Sequence, residues 1–174
     1  MLNFNQKKNT TPLLEIIEFI LFDKKSKNTP SPSIILMSID SFFLFLEKNC
    51  SLLKQRDQKA IQETIKRCAR LHLDHIANSG DAFETGSSRP LDYGHWSAHK
   101  IEMLSEFSMG HGQAVSIGIA LDSYYAWRHS LICRTELDRI ITALNKCGLP
   151  VWSPYLEIMD AKGLLEIENG LGEF

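Results

Sequence analysis

This sequence has few cysteines, a small net charge and no long apolar run. The four cysteines stand far apart and form no CxxC pair, which excludes the zinc-ribbon and thioredoxin-type motifs built on that spacing. We expect reduced, mostly buried thiols. The formal net charge is only −2, so neither nucleic acid nor an anionic membrane surface is an expected partner.

Segments that would direct the chain into a membrane are also missing. The N-terminal residues lack the apolar core of a signal peptide. The most apolar stretch, residues 34–46, is interrupted by Ser38, Asp40 and Ser41 and falls short of the ~18–20 residues that a spanning helix needs. The sequence therefore predicts a cytoplasmic protein with no membrane partner.

No segment shows sustained strand-like alternation, and helical spacing of apolar residues accounts for most of the chain. Residues 34–53 predict a helix, with a break near Asp40-Ser41 as the alternative to a continuous one. Its expected apolar face consists of Phe42, Phe43, Phe45 and Leu46. Residues 56–77 predict an amphipathic helix. Its expected buried stripe consists of Ile61, Ile65, Cys68 or Ala69, His72 and Ile76.

The remaining segments are also predicted to be mostly helical, which completes an all-α prediction. A helix is expected over residues 136–147, with Thr135 as its N-cap and Gly148 at its end. An apolar helix and a Pro/Ser-rich linker are expected within residues 1–33, ahead of a helical domain over residues 34–174. The length suits one domain with a substantial core.

Three of the six histidines, His95, His99 and His111, fall within seventeen residues. His95 and His99 are spaced i, i+4, which places both rings on one face of a helix. His111 stands between two glycines at the predicted start of the next helix, where small neighbours admit a ligand or an ion. Such a corner suits a divalent metal, although this spacing also occurs by chance and zinc needs a third protein ligand. Glu102, one turn beyond His99, is a candidate ligand, a candidate orienting residue for a histidine, or a solvated carboxylate.

Two motifs in this segment are more specific than the spacing alone. They are Gly94-His95-x-x-x-His99-x-x-Glu102 and His111-Gly112-Gln113-Ala114-Val115-x-Ile117-Gly118. Together they resemble the metal-binding C-terminal domain of the dehydroquinate synthase family, the sugar phosphate cyclases, and the similarity covers residues 34–174. The resemblance implies the helical C-terminal domain of a dehydroquinate synthase-like fold, without the family's N-terminal Rossmann-like domain.

The resemblance also implies roles for individual residues. His95 and His111 match ligands of zinc or cobalt, and His99 matches a histidine that contacts substrate and assists phosphate elimination. Arg89 and Asp92 fall in the segment that contacts substrate. The implied reaction is that of a carbon–oxygen lyase, in which NAD and a metal serve phosphate elimination from a sugar phosphate and an intramolecular aldol cyclisation.

Several positions depart from the family pattern. Asp92 replaces an asparagine, Asp74 a lysine and Gln113 a glutamate, while Ser88 occupies the place of an arginine. These differences indicate a divergent branch and leave the substrate open. The third metal ligand, a glutamate, would align near residues 30–33, within TPSPS, and residues 1–33 contain no glycine-rich NAD loop.

Three interpretations follow from these matches and departures. The first is a truncated cyclase domain with a metal site, which alone binds no NAD, holds zinc loosely and turns over little or no substrate. The second is a non-catalytic helical remnant or interaction module with inherited histidines. The third is an assembled enzyme in which a separate Rossmann-domain chain supplies the NAD site. A homodimer, paired through the apolar N-terminal helix, belongs to the second interpretation.

Overall fold

The computed structural model of the protein describes residues 32–78 and 93–159. Within these ranges the chain forms five α-helices and one short 3₁₀ helix, and no strand, so the all-α prediction is confirmed for this part of the chain. The first range belongs to one compact unit and the second to another. The apolar helix predicted within residues 1–33 lies outside the described residues, and the predicted division at residue 33 stays a prediction.

Two helices make up the described part of the first unit: α1, Pro32–Lys54, and α2, Gln58–Asn78. Helix α1 runs through Asp40 and Ser41 without a break. Its expected apolar face is largely confirmed, because Phe42, Phe43 and Leu46 are buried and Phe45 is half-buried. The guanidinium of Arg67 on α2 lies over the Phe45 ring, 4.4 Å from its centroid, and so packs the two helices together.

The buried face of α2 differs from the predicted stripe. Ile65 and Ile76 are 46% and 41% exposed, and His72 is exposed as well. The residues that are buried are Ala60, Thr64, Cys68 and Leu71. Cys68 confirms one position of the predicted stripe, and the other three buried positions lie one residue earlier than predicted because hydropathy ranks threonine as polar. The Thr64 hydroxyl donates to the carbonyl oxygen of Ala60 at 2.8 Å, and this bond inside its own helix allows the side chain to be buried.

Three helices and the 3₁₀ turn make up the described part of the second unit. They are α3, His95–Leu104; α4, His111–Arg128; α5, Arg134–Lys146; and the 3₁₀ helix Pro154–Glu157. Helix α4 is the centre of this unit, because residues 114–120 are buried without interruption. It packs against α3 and against α5. The start of α4 at His111, directly after Gly110, confirms the helix boundary expected from the sequence.

Helix α5 ends as predicted but begins differently. Thr135 is not its N-cap: the helix starts at Arg134 after Cys133, whose backbone N–H donates to the Glu136 carboxylate at 2.9 Å. The carboxylate stands at the third helical position and accepts from the N-cap N–H, which is the back-bond of a capping box. At the other end Gly148 has a φ of 78°, and the N–H of Leu149 donates to the Leu144 carbonyl at 3.0 Å, an αL stop of the Schellman type.

The four cysteines all lie in the described residues and form no disulfide bond with one another. Cys50 and Cys68 are buried, whereas Cys133 is exposed and Cys147 is half-buried, so the expectation of mostly buried thiols holds for two of the four. Within the two described ranges, no helix has the length and apolar character needed to cross a membrane.

The closest approach between α3 and α4 depends on two glycines. A β-carbon placed on Gly118 would overlap the carbonyl oxygen of Gly94 and lie 2.6 Å from the Ser97 hydroxyl. Gly94 itself has a φ of 77°, and a β-carbon there would lie 2.7 Å from the backbone nitrogen of Ile119. The backbones of the two helices therefore meet where no side chain separates them.

We expect Gly118→Ala to destabilise the protein by about 1–3 kcal/mol, because the added methyl group has no space against the Gly94 backbone. Gly110→Ala is the matched control. A β-carbon there meets only the Gln113 side chain at 3.6 Å, so the cost should stay at about 1 kcal/mol or less, the difference between glycine and alanine as N-cap. Urea denaturation measures both. Equal stability of Gly118→Ala and the natural chain would contradict the close backbone approach.

Candidate metal centre

The three histidines singled out in the sequence converge in the second unit. The ring centroids of His95 and His99 are 5.8 Å apart, those of His95 and His111 are 5.2 Å apart, and those of His99 and His111 are 5.8 Å apart. His95 and His111 are half-buried, while His99 is exposed. The i, i+4 pair on α3 thus faces the first residue of α4, and three imidazoles share one corner.

The backbone at the start of α4 explains the place of His111. Gly110 is the N-cap in extended conformation, and its N–H donates to the Gln113 side-chain oxygen at 3.3 Å. An amide oxygen performs this capping function as a carboxylate would. The replacement of the family's glutamate by Gln113 therefore preserves the helix start that presents His111.

Glu102 joins the histidines and is not a solvated carboxylate. Its Oε2 lies 3.1 Å from Nδ1 of His111, and its side chain is 17% exposed against 37% for the imidazole. The sequence left the role of Glu102 open among three alternatives, and this contact leaves two of them, ligand and orienting residue. The i, i+3 spacing from His99 was the signal that pointed to it.

The donor set of this corner fits a divalent cation. His99, Glu102 and His111 each offer a ligand atom, and these atoms lie within 4.8 Å of one another. His95 adds a third imidazole beside them, with its Nδ1 3.4 Å from the carbonyl oxygen of Tyr93. Imidazole nitrogen and carboxylate oxygen are the ligands that zinc and cobalt accept. We define these four residues, His95, His99, Glu102 and His111, as the histidine cluster.

A second carboxylate, which the sequence gave no reason to single out, secures the start of α3. Asp122 on α4 accepts hydrogen bonds from the backbone N–H of Gly94 at 2.7 Å and from the Trp96 indole N–H at 2.9 Å. Next to it, the Tyr93 and Ser123 hydroxyls are 2.9 Å apart. Asp122 lies eleven residues after His111, about three helical turns along the same face of α4.

Arg89 and Asp92, the residues predicted to contact substrate, lie outside the described residues. Their role stays a prediction, as does the assignment of His95 and His111 as metal ligands and of His99 as the catalytic histidine. What the structure adds is the proximity of the three histidines to one another and to Glu102.

Comparison with known proteins identifies the family of the chain. The sequence profile of the 3-dehydroquinate synthase C-terminal domain matches residues 34–168. The 3-dehydroquinate synthase of Buchnera aphidicola subsp. Cinara cedri is 34% identical over 126 residues, covering 68% of this chain and 34% of the relative. That of Coxiella burnetii is 35% identical over 120 residues, with 68% and 33% covered. The chain thus spans about a third of the length of these relatives.

A solved structure shows the same architecture. ValA, a 2-epi-5-epi-valiolone synthase from Streptomyces hygroscopicus subsp. jinggangensis 5008 with NAD+ and Zn2+ bound, superimposes with a TM-score of 0.63 at 26% identity. The match covers 82% of this chain and 35% of that one. With the profile match, the sequence relatives and the shared fold in agreement, this chain belongs to the 3-dehydroquinate synthase family, of which it matches the C-terminal helical domain.

Proposed function

We propose that this chain is the metal-binding part of a sugar phosphate cyclase, and that the histidine cluster is the place where it holds Zn²⁺ or Co²⁺. The observation that carries the proposal is the convergence of three imidazoles and one carboxylate from α3 and α4. A relative of the same fold that binds Zn2+ supports it.

Within this proposal, His95 and His111 are the metal ligands. A bound divalent cation supplies Lewis-acid chemistry that polarises an alcohol or carbonyl oxygen of the substrate. The half-buried position of both rings suits this role, because burial shields the coordinating nitrogens while the corner stays open to solvent on one side.

His99 is the proposed catalytic histidine. It is the most exposed of the three, and an imidazole can give or take a proton near neutral pH. Its position beside the proposed ligands supports a role as the proton carrier that the departure of phosphate requires. Arg89 and Asp92 are the proposed substrate contacts.

The cofactor NAD does not fit the residues that the structure describes. These residues form helices only, whereas dinucleotide sites of the Rossmann type need a strand, a glycine-rich turn and a helix. The proposed cyclase therefore takes its NAD contacts from another segment or from a separate Rossmann-domain chain. A cytoplasmic location is part of the same proposal.

A non-catalytic remnant with inherited histidines is the second candidate. The observation in its favour is the sequence TPSPS where the family's third ligand, a glutamate, would align. Metal affinity separates the two candidates, because a remnant has no need to keep a functional coordination site.

We expect isothermal titration calorimetry to show stoichiometric Zn²⁺ binding. His95→Ala and His111→Ala should each weaken it by more than about 100-fold, beyond the 10–100-fold typical of losing a residue that only orients a ligand. His129→Ala is the matched control, since His129 lies about 27 Å from His111 along α4 and should leave affinity unchanged. Absence of binding heat in the natural chain would favour the remnant.

We expect the chain alone to release no phosphate from sugar phosphates in the presence of NAD⁺ and Zn²⁺. The physical reason is that the described residues offer no dinucleotide site, so the hydride acceptor has no fixed position. A phosphate-release assay with a panel of sugar phosphates measures this, and NADH fluorescence titration measures cofactor binding. Turnover by the isolated chain would show that it holds a complete active site and would overturn this part of the proposal.

A further inference from the structure

The two proposed metal ligands lie on different helices, and a carboxylate of the opposite helix supports each of them. We propose that Glu102 and Asp122 are reciprocal positioning residues. Glu102 of α3 orients the His111 ring, and Asp122 of α4 fixes the backbone that carries His95. The inference rests on the proposed metal site and names the residues that give it its shape.

Glu102 acts on the ring of His111. Its Oε2 lies 3.1 Å from Nδ1, a hydrogen-bond distance at which the carboxylate accepts the ring proton. A proton held on Nδ1 leaves the lone pair on Nε2, the nitrogen on the far side of the ring, for a metal. The Glu102 side chain is 17% exposed and the His111 side chain is 37% exposed. The carboxylate therefore contacts the ring from the side that faces the protein interior.

The Glu102–His111 contact has the geometry of an ordinary hydrogen bond. Because it engages Nδ1 of His111, the carboxylate is placed to orient the ring while Nε2 stays available to a metal. The Zn²⁺ affinities of Glu102 variants separate this positioning role from direct coordination.

Asp122 acts on the two residues that flank His95. One carboxylate oxygen accepts from the backbone N–H of Gly94 at 2.7 Å, and the other accepts from the Trp96 indole at 2.9 Å. His95 is the first residue of α3, and helix ends fray unless their N–H groups are bonded. A negative charge at this end also complements the helix dipole. Asp122 therefore fixes the first turn of α3, because fraying of that turn would displace the His95 ring.

The spacing along the two helices shows why the arrangement is reciprocal. Glu102 lies seven residues after His95 and Asp122 lies eleven after His111, about two and three full turns. Each helix thus carries one proposed ligand and one positioning carboxylate on a single face. Because Glu102 meets the start of α4 while Gly94 meets Asp122 further along it, the helices run antiparallel. Glu102 thus reaches His111 itself, and Asp122 reaches the residues that flank His95.

The first test measures the Zn²⁺ affinity of the full chain by competition with a chelator. Glu102→Ala and Asp122→Ala should each weaken binding by about 10–100-fold. Glu102→Gln should retain most of the affinity, because an amide oxygen still accepts the Nδ1 proton. Asp138→Ala, which removes an exposed carboxylate paired with Arg134 on α5, is the control and should change nothing. A loss in Glu102→Gln as large as in Glu102→Ala would show that Glu102 is a ligand and overturn its positioning role.

The second test observes the rings directly by ¹⁵N NMR of histidine-labelled, metal-free protein. We expect the Nδ1–H tautomer for His111, kept in Glu102→Gln and lost in Glu102→Ala, with the His95 signals unchanged. Asp122→Asn, which retains the side-chain volume but matches only one of the two donors, should shift the His95 signals and leave His111 alone. An Nε2–H tautomer for His111 in the natural chain, or unmoved His95 signals in Asp122→Asn, would contradict the inference.

The two tests separate this inference from the proposed function. A natural chain that binds no Zn²⁺ but shows the expected tautomer and shifts would overturn the metal site and leave the positioning contacts intact. A natural chain that binds Zn²⁺ with an affinity that Glu102→Ala and Asp122→Ala leave unchanged would support the metal site and overturn the reciprocal positioning.

Discussion

The backbone contact between Gly94 and Gly118 is the constraint on which the histidine cluster depends. No β-carbon fits on Gly118 against the Gly94 carbonyl, and this closeness brings the start of α3 onto the surface of α4. A larger residue at either position would separate the helices and with them the two halves of the cluster. The glycines of the two motifs thus allow histidines from two helices to lie at one coordination site.

Polar contacts between α3 and α4 then hold the two helices in the arrangement that the close backbone approach allows. Asp122 holds Gly94 and Trp96, and Glu102 contacts His111, so both ends of the antiparallel pair carry a charged hydrogen bond, which is stronger than a neutral one. Three imidazoles and a carboxylate in one corner form a suitable donor set for a cation. The proposed function of the cluster rests on this combination, and membership of the 3-dehydroquinate synthase family supports it.

Local signals in the sequence were sufficient for some features and insufficient for others. The spacing of His95 and His99, the glycines beside His111 and the stop at Gly148 each reflect a rule that acts within a few residues, and the structure agrees with them. The buried face of α2 was missed because Thr64 satisfies its hydroxyl within its own helix. Asp122 was missed because its importance lies in a contact twenty-eight residues away, which a single sequence does not reveal.

X-ray absorption spectroscopy of the zinc-loaded chain tests the central claim most directly, because it reports the atoms bound to the metal. We expect a first shell that contains at least two imidazoles, seen through the outer-ring scattering that histidine ligands produce, and loss of one of them in His111→Ala. A first shell of oxygen atoms without imidazole scattering, or a spectrum that His111→Ala leaves unchanged, would contradict a metal site between α3 and α4.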